Sequence, residues 1–356
     1  MCYERALSAL NLEYTDLIPQ VEFLQHTDFI KLISGLNPFE KPREALKRTL
    51  DKLDMDMIWL TNDYFDAWTV ARARGESFIT SGKYWSKLFP TTWRVNKVSW
   101  SLDEVLEFNP LDYWTLPSID ELVSYFATIH SAEQEFFENQ LVPGGSYLTL
   151  FMWPVMVFGL KATLRAAIRE PEEFGKVLDR FGELSLAQFK AWSRTGIKAF
   201  ISHDDICSNS GPLLSPRWLR KYIYPWYRRL WSELRDKGIV VLFCSDGDLT
   251  PIIDDITSLG VDGFILEECS NLSYIVEKYG GEKVIIGGVD IGVLTLGTPR
   301  QVVQEVERCV SIAGSCPGYF LNVSGSIPDN VPLENLQAYF KACEKLRKRN
   351  SRLIHT

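Results

Sequence analysis

The stretch that decides the fold is VVLFCSDGDLTP, residues 240–251. Its first half is a short run of apolar and β-branched residues, which is typical of a buried strand. The run stops at Cys244, and a helix is predicted to begin near Thr250 and Pro251. A thiol and two carboxylates, Asp246 and Asp248, therefore lie where a strand leads into a helix. In a parallel α/β fold, functional sites form at this edge of the sheet.

Four other segments end a predicted strand in the same way: ISHDD (201–205), ILEE (265–268), GGVD (287–290) and LNVSGS (321–326). From YLTLFMW (147–153), itself predicted as a buried strand, strands alternate with helices, and this alternation requires a parallel sheet. Strands predicted in the N-terminal half bring the count to about eight. The sequence therefore predicts a single (β/α)8 TIM barrel over residues 1–356 with an N-terminal helical extension at 3–17. A doubly wound open sheet is the alternative.

Composition and charge argue against several classes of function. The 356 residues carry a net charge of −8 and no basic stripe with interleaved aromatic residues, so nucleic-acid binding is not expected. The N-terminal MCYERALSALNLEYTD lacks the apolar core of a signal peptide. The longest apolar stretch, Tyr147–Leu160, is shorter than a membrane span. Seven cysteines without a CxxC pair indicate a reduced, cytoplasmic protein.

Acids, one histidine and one cysteine gather at the predicted strand ends. Cys244 and Asp246 are two residues apart and face the same side of an extended chain, with His203 as a third ligand from the preceding strand, which suits a divalent metal. Acid–base work by crowded carboxylates is the other interpretation. The residues expected around the mouth are His203, Asp204, Asp205, Cys244, Asp246, Asp248, Glu267, Glu268 and Asp290.

Each of these residues also has a purely structural interpretation. Cys244 fits a small buried apolar position, and Asp248 fits a helix N-cap. Glu267 and Glu268 point to opposite faces of a strand, so at most one of them faces the barrel axis. Other chemistries lack their motifs, because GxGxxG, GxxxxGK[ST] and GxSxG do not occur in the sequence.

Several segments resemble the uroporphyrinogen decarboxylase superfamily. The resemblance implies a (β/α)8 barrel with its site at the C-terminal mouth. The segments are ERALSALNLEYTDLIP (4–19), HDDICSNSGPLLSPRWLRKYIYPWYRRL (203–230), FCSDGDLTPIIDDITSLGVDGF (243–264), GEKVIIGGVDIGVLTLGTPRQVVQEVERCV (281–310) and GYFLNVSGSIPDNVPLENLQAYF (318–340).

The superfamily has a decarboxylase branch, which acts on a tetrapyrrole, and a corrinoid-dependent methyltransferase branch. The decarboxylase branch carries an Arg-rich segment that grips substrate carboxylates, whereas the matching stretch here, EFLQHTDFI (22–30), contains no Arg. The methyltransferase branch often holds zinc with a His-x-Cys pair and a later Cys. By this resemblance, the His-x-Cys pair falls on Cys244 and Asp246, and the later Cys falls near Gly325. Further ligands could come from His203, Glu267 or Glu22.

The leading hypothesis is a cytoplasmic methyltransferase. It would move a methyl group from a small methoxylated aromatic or methylamine-type donor to the cobalamin of a separate corrinoid protein. Zinc is the candidate metal, a site without a metal is the alternative, and a homodimer is a candidate assembly. The substrate pocket is expected to be walled by aromatic residues and Glu22. The expected aromatic residues are Trp59, Tyr64, Phe65, Trp68 and Trp153.

Two alternatives stay open. One is a decarboxylase of a small carboxylic acid, in which Asp204, Asp205 or Asp246 handles the proton. The other is a non-catalytic barrel that binds a tetrapyrrole or corrinoid.

Overall fold

The structure, a computed structural model, describes residues 2–81, 91–95 and 97–349. The strands are β1 (Val21–Leu24), β2 (Met57–Ile58), β3 (Ser77–Ser81), β4 (Thr91–Val95), β5 (Gly144–Ser146), β6 (Ala199–His203), β7 (Cys207–Ser208), β8 (Gly211–Pro212), β9 (Val240–Cys244), β10 (Gly263–Leu266), β11 (Val284–Gly287), β12 (Tyr319–Phe320) and β13 (Ser326–Ile327). The helices are α1 (Cys2–Leu10), α2 (Thr27–Ser34), α3 (Pro42–Lys52), α4 (Thr69–Ala73), α5 (Leu102–Leu106), α6 (Ile119–Phe136), α7 (Met152–Phe158), α8 (Leu160–Arg169), α9 (Pro171–Trp192), α10 (Pro216–Tyr222), α11 (Tyr224–Arg235), α12 (Ile253–Ser258), α13 (Leu272–Tyr279), α14 (Ile291–Leu296), α15 (Pro299–Ala313) and α16 (Leu333–Leu346).

Eight parallel strands close into a barrel, as predicted. Six of them pair in the order β12-β11-β10-β9-β6-β5, and β1 pairs with β2. The bridge between Gln20 and Leu321 joins β1 to β12. The bridge between Met57 and Leu141 joins β2 to the residues that lead into β5. The closed sheet has its helices outside, so the carboxyl ends of the strands meet around one mouth.

The barrel interior is apolar, and α1 closes its amino-terminal end. Ala6, Ala9 and Leu10 of α1 belong to the same buried cluster as the inward residues of the barrel strands. Arg5 holds the helix in place through an ion pair of 2.5 Å with the buried Asp56, immediately before β2. The helical extension is therefore confirmed, although α1 ends at Leu10 rather than at residue 17.

The prediction of a strand at 147–153 is wrong. The observed strand, β5, is the preceding Gly144–Ser146, and α7 begins at Met152. At Gly145, a Cβ atom would lie 2.8 Å from the carbonyl oxygen of Leu60, so this crowded strand has no room for a side chain. The apolar run that follows bends into α7, and the N–H groups of Leu150, Phe151 and Met152 at this bend donate to the carboxylate of Asp204, immediately after β6. An apolar run of this length fits a strand or a buried helix equally well by pattern.

None of the helices in the described ranges combines the length and the apolar character that crossing a bilayer requires.

Candidate active site at the barrel mouth

Three polar side chains meet beyond the carboxyl ends of β6 and β9. His203 ends β6, Asp205 follows two residues later, and Asp246 lies two residues after the end of β9. His203 Nε2 lies 3.4 Å from Asp205 Oδ1, and the Asp246 backbone N–H donates to the same oxygen at 2.8 Å. One nitrogen or oxygen from each side chain lies within 4.8 Å of the others. We call His203, Asp205 and Asp246 the mouth triad.

The two carboxylates of the mouth triad have no Lys or Arg ion pair among the described residues. Burial raises the pKa of Asp205, and burial together with Asp205 raises the pKa of Asp246. Burial also lowers the pKa of His203 to about 4, although Asp246 opposes this shift, so the imidazole is neutral at pH 7. Over residues 2–81, 91–95 and 97–349, no Lys or Arg forms an ion pair with either carboxylate. Such buried carboxylates either bind a cation or hold protons.

Cys244 and Glu267 adjoin the triad. Cys244 is buried, and its burial together with Asp205 raises the pKa of the thiol well above its ordinary value. Glu267 accepts the Gly247 N–H at Oε2 over 2.9 Å, and burial followed by Asp246 raises its pKa to about 7. A Cβ atom on Gly325 would lie 3.8 Å from Glu267 Oε1. The position that matches the later family Cys is thus adjacent to Glu267.

The structure does not bring Asp204 into the triad. Its side chain is fully buried and accepts hydrogen bonds from the backbone N–H groups of Leu150, Phe151 and Met152, at the start of α7, over 2.6–3.1 Å. The hydroxyl of Tyr227 donates to it at 2.6 Å. Both oxygens are occupied by protein donors, so Asp204 is a structural carboxylate and its predicted proton-handling role is not supported.

Glu22 also points away from the mouth. Val21 lies in the barrel interior, so the neighbouring Glu22 faces the helices. It accepts hydrogen bonds from the Tyr339 hydroxyl and from Gln20 Nε2, and from the backbone N–H of Val323 at 3.1 Å. Burial raises its pKa to about 7, against these hydrogen bonds. The carboxylate has its partners within the protein and lies apart from the mouth triad, so the structure does not bring it to the triad as a metal ligand.

The aromatic residues that were predicted to wall one pocket lie in different parts of the fold. Trp153 is fully buried, donates its indole N–H to Ser185 at 2.9 Å and stacks on Phe181, so it packs in the helical layer instead of lining a pocket. Tyr64 is 37% exposed, and its ring makes an edge contact with Tyr125. Trp59 lines a cavity that is discussed below.

Tyr147 is a mouth residue that sequence reasoning missed. Its ring stacks on the His203 imidazole with centroids 4.3 Å apart and an interplanar angle of 17°. Burial and then Asp205 raise the pKa of its hydroxyl. Correct placement of β5 at 144–146 would have indicated it, because Tyr147 is the first residue after that strand.

The donor set of the triad fits a divalent cation. A neutral imidazole nitrogen and two carboxylate oxygens are ligands that zinc and other first-row divalent metals accept. The thiol of Cys244 lies in surroundings that oppose its ionisation, so it is a weaker candidate ligand than in a site where a cationic residue stabilises a thiolate. The triad includes Asp246, one of the positions that the sequence resemblance aligns with zinc ligands, and offers nitrogen and oxygen donors.

An eight-stranded parallel barrel with polar residues at its carboxyl end is the architecture of TIM-barrel enzymes. Within that class, the chain belongs to the uroporphyrinogen decarboxylase family, because the family profile, "Uroporphyrinogen decarboxylase (URO-D)", matches residues 134–346, more than half of the chain.

Two curated relatives are equally similar to the chain and carry different activities. A uroporphyrinogen decarboxylase from Syntrophotalea carbinolica is 27% identical over 195 residues, which are 54% of this chain and 55% of the relative. A methylated-thiol–coenzyme M methyltransferase from Methanosarcina mazei is 27% identical over 190 residues, 53% of this chain and 49% of the relative. The chain thus spans about half the length of these relatives.

A solved structure supports the fold. A methyltransferase from Methanosarcina mazei superposes with a TM-score of 0.67 at 17% identity, and the superposition covers 97% of this chain and 98% of the other.

Proposed function

We propose that the protein is a cytoplasmic methyltransferase that moves a methyl group from a small donor to the cobalamin of a separate corrinoid protein. The observation that carries the proposal is the uncompensated acid group at the mouth. A substrate with several carboxylates needs cations in its pocket, and the mouth triad and Glu267 have no Lys or Arg ion pair among the described residues. The methyltransferase relative supports the same choice.

Within this proposal, His203, Asp205 and Asp246 hold a divalent cation, with zinc as the first candidate. When bound there, the cation would act as a Lewis acid on the heteroatom that carries the methyl group. The Asp246 backbone N–H fixes the orientation of Asp205, and the Tyr147 ring fixes the plane of His203. The carbon–heteroatom bond of the donor breaks, the heteroatom keeps the electron pair, and the methyl group passes to the corrinoid.

The experiment is elemental analysis of the purified protein combined with a cob(I)alamin methylation assay over methoxyaromatics, methylamines and thioethers. His203→Ala and Asp246→Ala are expected to lose both the bound metal and turnover. Asp248→Asn is the matched control, because Asp248 lies two residues beyond Asp246 and caps the Thr250 N–H at 2.8 Å, a role that Asn preserves. Unchanged metal content and turnover in the two alanine variants would exclude the site.

A second candidate, decarboxylation of a small carboxylic acid, is favoured by the Syntrophotalea carbinolica relative, which matches at the same identity as the methyltransferase. Its proton source would be one of the mouth carboxyls with a raised pKa, such as Asp205 or Asp246. Release of CO₂ from a small acid with no corrinoid requirement would decide for this reaction and against methyl transfer.

A further inference from the structure

A cavity of about 350 Å³ lies between the carboxyl ends of β1 and β2 and the helices α3 and α6. Most of the side chains that line it are apolar, and they come from β1, α3, β2 and the residues that follow β2 and α6. The apolar lining residues used in the argument below are Leu24, Leu46, Leu50, Ile58, Trp59 and Phe137. A concave apolar space of this kind is the usual form of a small-molecule site.

The charged residues on the cavity wall are already paired. Arg43 of α3 and Glu133 of α6 form a two-pronged ion pair with distances of 2.8 and 3.1 Å. The Arg43 guanidinium also lies over the Phe136 ring, 4.4 Å from its centroid. Glu22 also borders the cavity, but its carboxylate is bonded to Tyr339 and Val323. A charged ligand would therefore be desolvated without a free counter-charge on these residues, whereas an uncharged ligand does not carry this desolvation cost.

The volume sets the size of the occupant. A dry apolar cavity of about 150 Å³ in another protein admits benzene. A cavity of about 350 Å³ therefore has room for one aromatic ring with short substituents.

Trp59 borders both the cavity and the barrel interior. Its indole lines the cavity and also packs against the apolar cluster inside the barrel, which contains Cys244. The Phe23 ring stacks on Trp59 with centroids 6.0 Å apart. A ring held beside Trp59 would therefore adjoin a side chain that also borders the barrel interior.

From these observations we infer that the cavity binds the apolar body of an uncharged donor with one aromatic ring. The inference rests on the proposed methyl transfer and selects neutral methoxylated aromatics over methylammonium ions and aromatic carboxylates. Leu46, Leu50, Ile58 and Phe137 set the shape of the pocket, and Trp59 directs the methoxy group.

The experiment measures binding of 1,2-dimethoxybenzene by calorimetry and ligand-observed NMR, in metal-free and zinc-loaded protein. Comparison ligands are 3,4-dimethoxybenzoate and tetramethylammonium. Leu46→Trp fills the cavity from α3 and is expected to weaken binding at least about tenfold. Glu44→Trp is the control, because Glu44 is exposed on the same helix and does not line the cavity. Thr61→Phe fills the cavity from the end of β2 and serves if Leu46→Trp does not fold.

The inference stands if the neutral ether binds best, if binding falls in the filled variants alone, and if His203→Ala leaves it unchanged. Preferential binding of tetramethylammonium or of the carboxylate overturns it, as does equal binding of the ether by wild type and the filled variants. Ether binding without any methyl transfer would keep the cavity assignment and reject the proposed function. Methyl transfer whose rate is the same in wild type and in the filled variants would keep the proposed function and reject the cavity assignment.

Discussion

Replacing Asp204 with Asn separates a structural carboxylate from a catalytic one. Asp204 accepts four hydrogen bonds, and three of them go to one oxygen, Oδ2, from Leu150, Phe151 and Tyr227. An amide oxygen placed there keeps these three. The amide NH₂ then replaces Oδ1 and faces the Met152 N–H, which Oδ1 accepts at 2.6 Å. One hydrogen bond is lost, and two donors point at each other in a fully buried site.

Burial raises the pKa of Asp204 to about 7, so the carboxyl is not a fully charged acceptor near neutral pH. The expected cost in unfolding free energy is therefore about 1–3 kcal/mol, the penalty for leaving the buried Met152 N–H without its acceptor. Urea unfolding of metal-free protein at pH 7.5, followed by circular dichroism, measures this cost. Zinc affinity, measured by calorimetry, should stay within about twofold of wild type, because Asp204 faces α7 and not the mouth triad.

Asp205→Asn is the matched comparison and should show the opposite pattern. Asp205 lies one residue further along, faces the triad and has no counter-charge to lose, so stability should hold while zinc affinity falls more than about tenfold. Asp204→Asn with full stability but no methyl transfer would contradict the structural role and restore Asp204 as a proton-handling residue.

Four further outcomes are expected. Zinc affinity should rise with pH from the ordinary carboxylate range upward, about tenfold per unit for each proton displaced, because the pKa values of Asp205 and Asp246 are raised and zinc must displace their protons; an affinity that does not change with pH would contradict this. The metal-free protein should lose stability as pH rises from 4.5 to about 7, since folded Glu267 binds a proton that the unfolded chain releases, and urea midpoints that climb over this range would refute it. Gly145→Ala should unfold at lower urea than wild type because its Cβ meets the Leu60 carbonyl, whereas Gly281→Ala, with nothing within 4 Å, should not. Cys244→Ser should leave zinc affinity within about threefold, and a loss above tenfold would make the thiol a ligand.

The barrel could be predicted from sequence because its central strands are short apolar runs that end in polar residues. The run at 240–244 forms β9, and those at 263–266 and 284–287 form β10 and β11. The failure came at β5, where Gly144 and Gly145 carry no hydrophobic signal. These glycines are needed because of contacts with residues distant in sequence, such as Leu60 and Ile197, and no local pattern reports such contacts.

The outward orientation of Asp204 and Glu22 could have been identified from alternation along the strands. In His203-Asp204-Asp205 the first and third side chains face the barrel interior, so the middle one must face the helices. Glu22 follows the inward Val21 and obeys the same rule. Tertiary detail was still required to learn what these outward acids do, because their partners lie on α7, α11 and α16.

The same alternation explains why the triad forms where it does. His203 of β6 is the register partner of Cys244 of β9. Each strand therefore delivers two inward side chains at positions i and i+2, His203 and Asp205 from one, Cys244 and Asp246 from the other. Paired neighbours in parallel strands bring these four groups together whatever their identity. A family position can thus change from thiolate to carboxylate without moving the backbone, and the choice of side chain alone decides whether the mouth prefers a soft or a hard cation.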